Sequence, residues 1–175
     1  MRFGGVMMAA ALALAMGCAA SPDPGPGDQP PSSGGLNPPN SMPMPSNGQC
    51  NSLGAAGGTI SDQLSTMPPA LGGGAMADGN YVLTKYEWYS PNVLHTRSIT
   101  LMVSGGGTAG QYLWTRDQDP EQRVNLSIAT SGVQIAMRAT CPVGADLEWD
   151  QYGMTDTGLT LFSSRDNKAA FFARQ

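Results

Sequence analysis

The sequence predicts an all-β fold, an eight-stranded antiparallel up-and-down meander closed into a small barrel. Three observations predict it. From Asn80 onward, aromatic and β-branched runs alternate with turn residues at short, regular intervals. No segment sustains a helical period. The connections are too short for parallel crossovers, which need about a dozen residues. A meander manages its exposed edges most simply by closing on itself. A two-sheet β-sandwich is the rival that the same pattern allows.

The strands follow in order. The first runs over Tyr81–Tyr89 and stops at Ser90-Pro91-Asn92, and the second over Leu94–Val103, ending at Gly105-Gly106-Gly107. The third spans Gln111–Arg116 and the fourth Arg123–Thr130, on either side of an Asp117 to Pro120 turn. Ser131-Gly132 makes the tight turn into the fifth, Val133–Cys141, and Pro142 to Gly144 ends it. The last three are Asp146–Tyr152, Leu159–Ser163 and Ala169–Arg174, parted by Asp156 to Gly158 and Arg165-Asp166-Asn167. Val124, Leu126 and Ile128 alternate with Asn125 and Ser127, and Val133, Ile135 and Met137 with Gln134 and Arg138. Leu147 and Trp149 alternate with Asp146, Glu148 and Asp150. One face of each strand is therefore buried and the other solvated.

Composition divides the chain. It has 175 residues and net charge −4, with only 13% charged residues and one His. The sign excludes a strongly basic nucleic-acid binder, and the single His excludes a metal enzyme needing several. Of 14 Pro, 11 lie between Ala19 and Gly79, whereas 11 of 12 aromatics lie in residues 80–175.

Residues 1–17 read as a signal peptide. Met1-Arg2-Phe3 is a short positive start, and the apolar run Gly4 to Met16 is too short for a membrane span of roughly 20 residues. Leu14-Ala15-Met16-Gly17-Cys18 resembles the bacterial lipobox. That resemblance implies transfer of a diacylglycerol to the Cys18 thiol and cleavage just before it, and hence a lipoprotein held on a bilayer by the palmitate-type chains on Cys18. Acyl chains add about 0.8 kcal/mol per buried CH₂. An ordinary signal peptide with an incidental Cys18 is the alternative. By the sorting rule known for such lipoproteins, Ala19 rather than Asp after the Cys implies the outer membrane of the cell envelope. The leaflet stays open.

Residues 18–49 read as a lipid-anchored, disordered spacer. From Ala19 to Gln49 there is no aromatic or basic residue and little that is apolar, so burial cannot repay ordering entropy. The reach of such a Pro-rich tether is ~30 Å as a coil and ~95 Å fully extended.

With Cys18 set aside, Cys50 and Cys141 form an even pair in an oxidising compartment. We expect a disulfide, with two free thiols as the alternative. It would pin residues 50–79, an irregular strap, onto the barrel domain 80–175. Ser61-Asp62-Gln63-Leu64 could open a single helical turn there, ended by Pro68-Pro69. Cys141 closes the fifth strand, at the end away from Tyr81. The strap is therefore expected to run down the barrel wall or partly cap the far mouth.

The barrel domain resembles the lipocalin-like, or calycin-type, small β-barrels of exported bacterial lipoproteins. The resemblance rests on Asp78-Gly79-Asn80-Tyr81 at the start and Phe171-Phe172-Ala173-Arg174-Gln175 at the end. In lipocalins a Gly-x-Trp motif sets an aromatic on the barrel floor with an Arg from the last strand across it. Tyr81 and Arg174 stand in those places here. The Trp itself is missing.

Catalytic constellations are scarce. His95 has no Gly-x-Ser-x-Gly phrase or Cys nucleophile to serve, and reads as a solvated strand-start residue. Asp117, Asp119 and Glu121 lie in a turn beside Arg116 and Arg123 and lack the Gly and terminal Glu of a calcium loop. Asp146, Glu148 and Asp150 read as the outward face of a strand. Gly105-Gly106-Gly107 has neither the helix start nor the Lys-Ser/Thr of a phosphate cradle. No catalytic residue, metal or cofactor is expected.

Six large rings remain: Tyr86, Trp88, Tyr112, Trp114, Trp149 and Tyr152. They either line a pocket for an apolar or carbohydrate ligand or fill an eight-strand barrel, whose interior is just wide enough to be packed. The sequence thus points to a non-enzymatic, membrane-anchored binding or structural module. Its candidate partners are the bilayer, a small hydrophobic ligand carried as lipocalins do, or a protein. An inhibitor of a basic enzyme, resembling the lysozyme-inhibitor lipoproteins, is the remoter alternative.

Overall fold

The computed structural model describes residues 50–144 and 147–175. The signal-peptide, Cys18 and spacer readings lie outside these residues, as does Asp146. Among the described residues there are ten strands and no helix. Strands β1 (Ile60–Ser61) and β2 (Gln63–Leu64) belong to the strap. The barrel consists of β3 (Gly79–Trp88), β4 (Thr96–Ser104), β5 (Ala109–Arg116), β6 (Gln122–Ser131), β7 (Gln134–Cys141), β8 (Gln151–Thr155), β9 (Gly158–Ser163) and β10 (Lys168–Arg174). Each pairs antiparallel with the next, and β10 and β4 both pair with β3, so the sheet closes. The up-and-down barrel is the observed fold, not the sandwich.

Seven strands fall within two residues of their expected bounds. The sixth does not: its ladder runs from Gln151 to Thr155, downstream of the expected Asp146–Tyr152. Leu147 and Trp149 do turn inward, but residues 147–150 touch β7 only through single bonds, Leu147 N to Met137 O and Asp150 O from Ile135 N. β8 keeps one ladder pair with β7, Gln134 with Gln151. This seam is the loosest in the barrel.

The core follows the period-2 rows. Leu126, Ile128, Ile135 and Met137 are all buried, with Leu101, Leu159 and Leu161 beneath. Two bulges re-aim side chains. Thr84 is an extra residue opposite β10, where Phe171 pairs with Lys85 but Phe172 with Leu83. Tyr81 and Leu83 face inward before it, and Tyr86 and Trp88 after it. In β7, Leu126 pairs with Ala139 but Asn125 with Cys141, leaving Thr140 extra. Without that bulge Cys141 would follow Ile135, Met137 and Ala139 into the core. With it, Cys141 reaches the outer face.

There it bonds Cys50, with Cα atoms 5.4 Å apart. The strap then crosses the barrel wall. Asn51 donates to the Val124 carbonyl, Asn125 donates to the Cys50 carbonyl, and the Arg123 guanidinium donates to the Leu53 carbonyl. Farther on, Ala56 N donates to Thr100 Oγ1, and Gly57 lies against Val82. Thr100, Leu113 and Arg123 form one outward row across three strands. Thr100 and Leu113 are nonetheless buried, because the strap lies on that row.

The strap is not an irregular coil throughout. The expected helical turn at Ser61–Leu64 is instead two short strands. β3 and β4 pair only from Gly79 to Val82, then diverge. β1 fills the gap against Thr96 and Arg97, and β2 runs parallel to Glu87 and Trp88. A helix would satisfy neither open edge; extended backbone satisfies both.

After Leu64 the strap travels to the opposite end of the barrel, where residues 73–78 close it. Gly73 bridges Gly153 and packs so tightly on the Gly132 carbonyl that a Cβ would stand 2.1 Å from that oxygen. Met76 is buried under Gly107, at φ 84°, where a side chain would again collide. The hydroxyls of Tyr81 and Tyr152 donate to the carbonyls of Ala77 and Gly74. Tyr81 is fully buried and pairs in register with Arg174, whose guanidinium donates to the Asp78 carbonyl. Both residues thus sit at the closed end.

Candidate functional site

The other end stays open. A cavity of about 350 Å³ lies there, within the 300–1,000 Å³ usual for small-molecule sites. Its walls come from strand ends near the mouth: Tyr86 on β3, Arg97 and Ile99 on β4, and Tyr112, Trp114 and Arg116 on β5. Leu147, Glu148 and Trp149 of the loose seam and Lys168 of β10 complete it. The cavity exists because the ladder fails there. Residues 147–150 stand off from β7, and β3 and β4 have diverged.

Of the six rings read from the sequence, the structure brings Tyr86, Tyr112, Trp114 and Trp149 to the cavity. Trp88 lies behind it in the core, 5.8 Å from Tyr86 between ring centroids. Tyr152 is buried lower down and is spent on closing the far end. The barrel is therefore packed below and hollow at the mouth. Burial pushes the Tyr86 and Tyr112 phenols above their ordinary range, with Arg97 opposing in part, so both hydroxyls stay protonated.

The charged lining was not read from the sequence. Arg97 is only 9% exposed. It is in phase with Ile99, Leu101 and Val103, which was the available signal for its inward direction. Its Nε and Nη2 donate to the two carboxylate oxygens of Asp62 at 2.7 and 2.9 Å. The Tyr86 ring lies against its guanidinium, 4.2 Å from centroid to Cζ. Trp88 Nε1 and His95 N also donate to Asp62. A buried carboxylate with four donors is fully satisfied.

Lys168 was legible in the same way, in phase with Ala170 and Phe172. Its ammonium pairs with Glu148 and with Asp166, and lies 5.6 Å from the ring centroids of both Trp88 and Trp149. The Lys168 hydrogen bond holds the Asp166 carboxyl below the usual carboxylate range. Glu148 thus turns toward the mouth, not away from the sheet as expected. Asp150 accepts from Ser164 N at 2.8 Å. Arg116 pairs with Asp119 at 3.0 Å, and Arg123 with Glu121 as well as with the strap.

His95 stands outside the lining. Its Nδ1 is 2.6 Å from Asp117 Oδ2, and Asp117 also accepts from Thr96 N and Oγ1. The Thr96 backbone bond, then the His95 bond, hold the Asp117 carboxyl below its ordinary value. This cluster stitches two loops at the rim. Among the described residues no group of three His, Cys, Asp or Glu stands together to hold a metal ion. No protein-family model, curated protein or solved structure matches the chain.

Proposed function

We propose that the protein is a lipid-anchored envelope lipoprotein whose barrel is a non-enzymatic binding module, with the mouth cavity as the seat of a small ligand. The observation that carries this reading is the cavity itself. Four aromatic walls and a guanidinium fixed from two sides converge on one hollow at the open end. Such convergence of apolar walls with a few placed polar groups is what small-molecule sites share. The Cys18 anchor and the Pro-rich tether would hold that mouth at a membrane surface within reach of its ligand. A carrier of hydrocarbon chains fits less well, because four of the ten lining side chains are charged.

Native mass spectrometry of the protein purified from its own host tests the reading. A small molecule retained on the wild type, and lost when Trp149 is replaced by Ala, supports it. A protein that comes off bare, with no molecule recovered from the extract by the refilled apo form, overturns it.

A further inference from the structure

We propose that the ligand is a neutral sugar, held by an aromatic wall of the mouth and by the free edge of Arg97. This rests on the mouth-cavity reading above and names the class of molecule that fits it. Three other classes are disfavoured by groups already in place.

An anion finds no net positive charge. Arg97, Arg116 and Lys168 face the cavity, but Asp62, Asp119, Glu148 and Asp166 neutralise them. A cation finds two of the four lining rings, Tyr86 and Trp149, already taken. Arg97 occupies the face of Tyr86, and Lys168 lies over Trp88 and Trp149. A hydrocarbon chain would have to strip water from the Glu148 and Arg116 charges and return no hydrogen bond.

A neutral sugar meets each of these groups. A pyranose carries an apolar C–H face that stacks on an indole, and hydroxyls that both donate and accept. Trp114 is part-exposed on the wall, and among the described residues no cation lies over its ring. Arg97 commits Nε and Nη2 to Asp62, whereas Nη1 has no hydrogen-bond partner among the described residues. That nitrogen belongs to a side chain nine-tenths buried, locked by Asp62 and the Tyr86 ring, on the cavity wall. It is a donor held in place before any ligand arrives, so little ordering cost falls on binding. Glu148, 57% exposed at its side chain, offers the matching acceptor.

The test is a titration of the purified full chain, read by tryptophan fluorescence and by calorimetry. All three tryptophans, Trp88, Trp114 and Trp149, lie at this end. The probes are glucose, galactose, mannose, N-acetylglucosamine and their β-linked disaccharides. Glucuronate, glucosamine and decanoate serve as the anionic, cationic and hydrocarbon counterparts. At least one neutral sugar should bind saturably with Kd of order 1 mM or below. Trp114→Ala should weaken it at least tenfold while the far-UV spectrum and a cooperative melt still report a folded barrel. Trp114→Phe, which keeps an aromatic face, should weaken it less. Glucuronate should bind more weakly than glucose, and Glu148→Gln should narrow that gap. Preferential binding of glucuronate, glucosamine or decanoate would overturn the sugar while leaving the cavity a ligand site. Binding of no probe in any class would overturn both.

Discussion

Asp62 and Arg97 meet across 35 residues of chain, carboxylate to guanidinium, at 2.7 and 2.9 Å. The pair joins the two halves of the design. Asp62 belongs to the strap that fills the gap between β3 and β4, and Arg97 belongs to the cavity wall. Because the Asp62 side chain is fully buried, removing it strands a guanidinium in the protein interior. Asp62→Ala should cost about 3–5 kcal/mol, the usual cost of breaking a buried pair from one side. The double variant Asp62→Leu/Arg97→Met should recover part of that loss, the remainder falling on Trp88 Nε1 and His95 N, which still lose their acceptor. Urea denaturation of the single and double variants measures both. A double variant no more stable than Asp62→Ala would show that the stranded guanidinium is not the source of the loss.

The hairpin of β6 and β7 gives a second prediction. Leu126 and Ile135 are buried, and truncating either to Ala should cost about 2–5 kcal/mol. Gln134 is exposed and its replacement by Ala should be nearly neutral. Period-2 logic would treat Asn125 the same way, as one more outward polar residue. Its side chain instead donates to the Cys50 carbonyl and accepts from Asn51 at 3.1 Å. Asn125→Ala should therefore cost about 1–3 kcal/mol, the range for partly buried hydrogen bonds left open. Equal stability for Asn125→Ala and Gln134→Ala would show that the strap is not fastened there.

These two residues show how much was readable beforehand. The barrel was legible because alternation and turn residues are local signals, repeated eight times. What escaped is non-local. Bulges at Thr84 and Thr140 break a period that sequence reading assumes unbroken, although the spacing of Tyr81, Leu83, Tyr86 and Trp88 already betrays the first. β1 and β2 are two-residue pieces with no pattern of their own, extended only because β3 and β4 offer open edges. Four cavity rings were legible as large aromatics on strands. Arg97 and Lys168 were passed over because charge reads as outward, yet both keep the phase of their buried neighbours. Glu148 breaks phase, so nothing in the alternation pointed to it.

Asp117 supplies a pH prediction. Its carboxyl is held below the ordinary value by the Thr96 backbone and by His95, so folding favours the ionised form. The sign follows from linkage. Such a group adds stability above its unfolded value, about 3.9, and that stability is lost as pH falls through the lower folded value. Carbon-detected NMR of the side-chain carboxyl should give a midpoint below the ordinary aspartate range. A midpoint at or above that range would show that the rim cluster does not hold in solution.

The membrane anchor is tested through Cys18. The Leu14-Ala15-Met16-Gly17-Cys18 phrase predicts acylation, so Cys18→Ser should release the protein from membranes or leave unprocessed precursor. Fractionation and intact mass decide between them. A variant that sediments with membranes like wild type, with no precursor, would end the lipoprotein reading.

The Cys50–Cys141 bridge gives the last prediction. It spans 91 residues, and a loop of that size stabilises by about 4–5 kcal/mol on the chain-entropy model. Two further fastenings lie downstream, β1 and β2 in their gap and Asp62 on Arg97. Losing the bridge should therefore free the strap unevenly. Residues 51–59 are held by side-chain bonds from Asn125, Arg123 and Thr100 and by the bridge itself, so they should loosen first. Residues 60–64 should stay seated while the barrel remains folded. The variant Cys50→Ser/Cys141→Ser, treated with thermolysin, should be cut near Leu53 well before any cut near Leu64. Trypsin cannot report this, because residues 51–78 contain neither Lys nor Arg. Simultaneous cutting at both sites would mean that the strap opens as one unit and the bridge alone keeps it down. Resistance equal to wild type at both would mean that the bridge adds nothing to its seat.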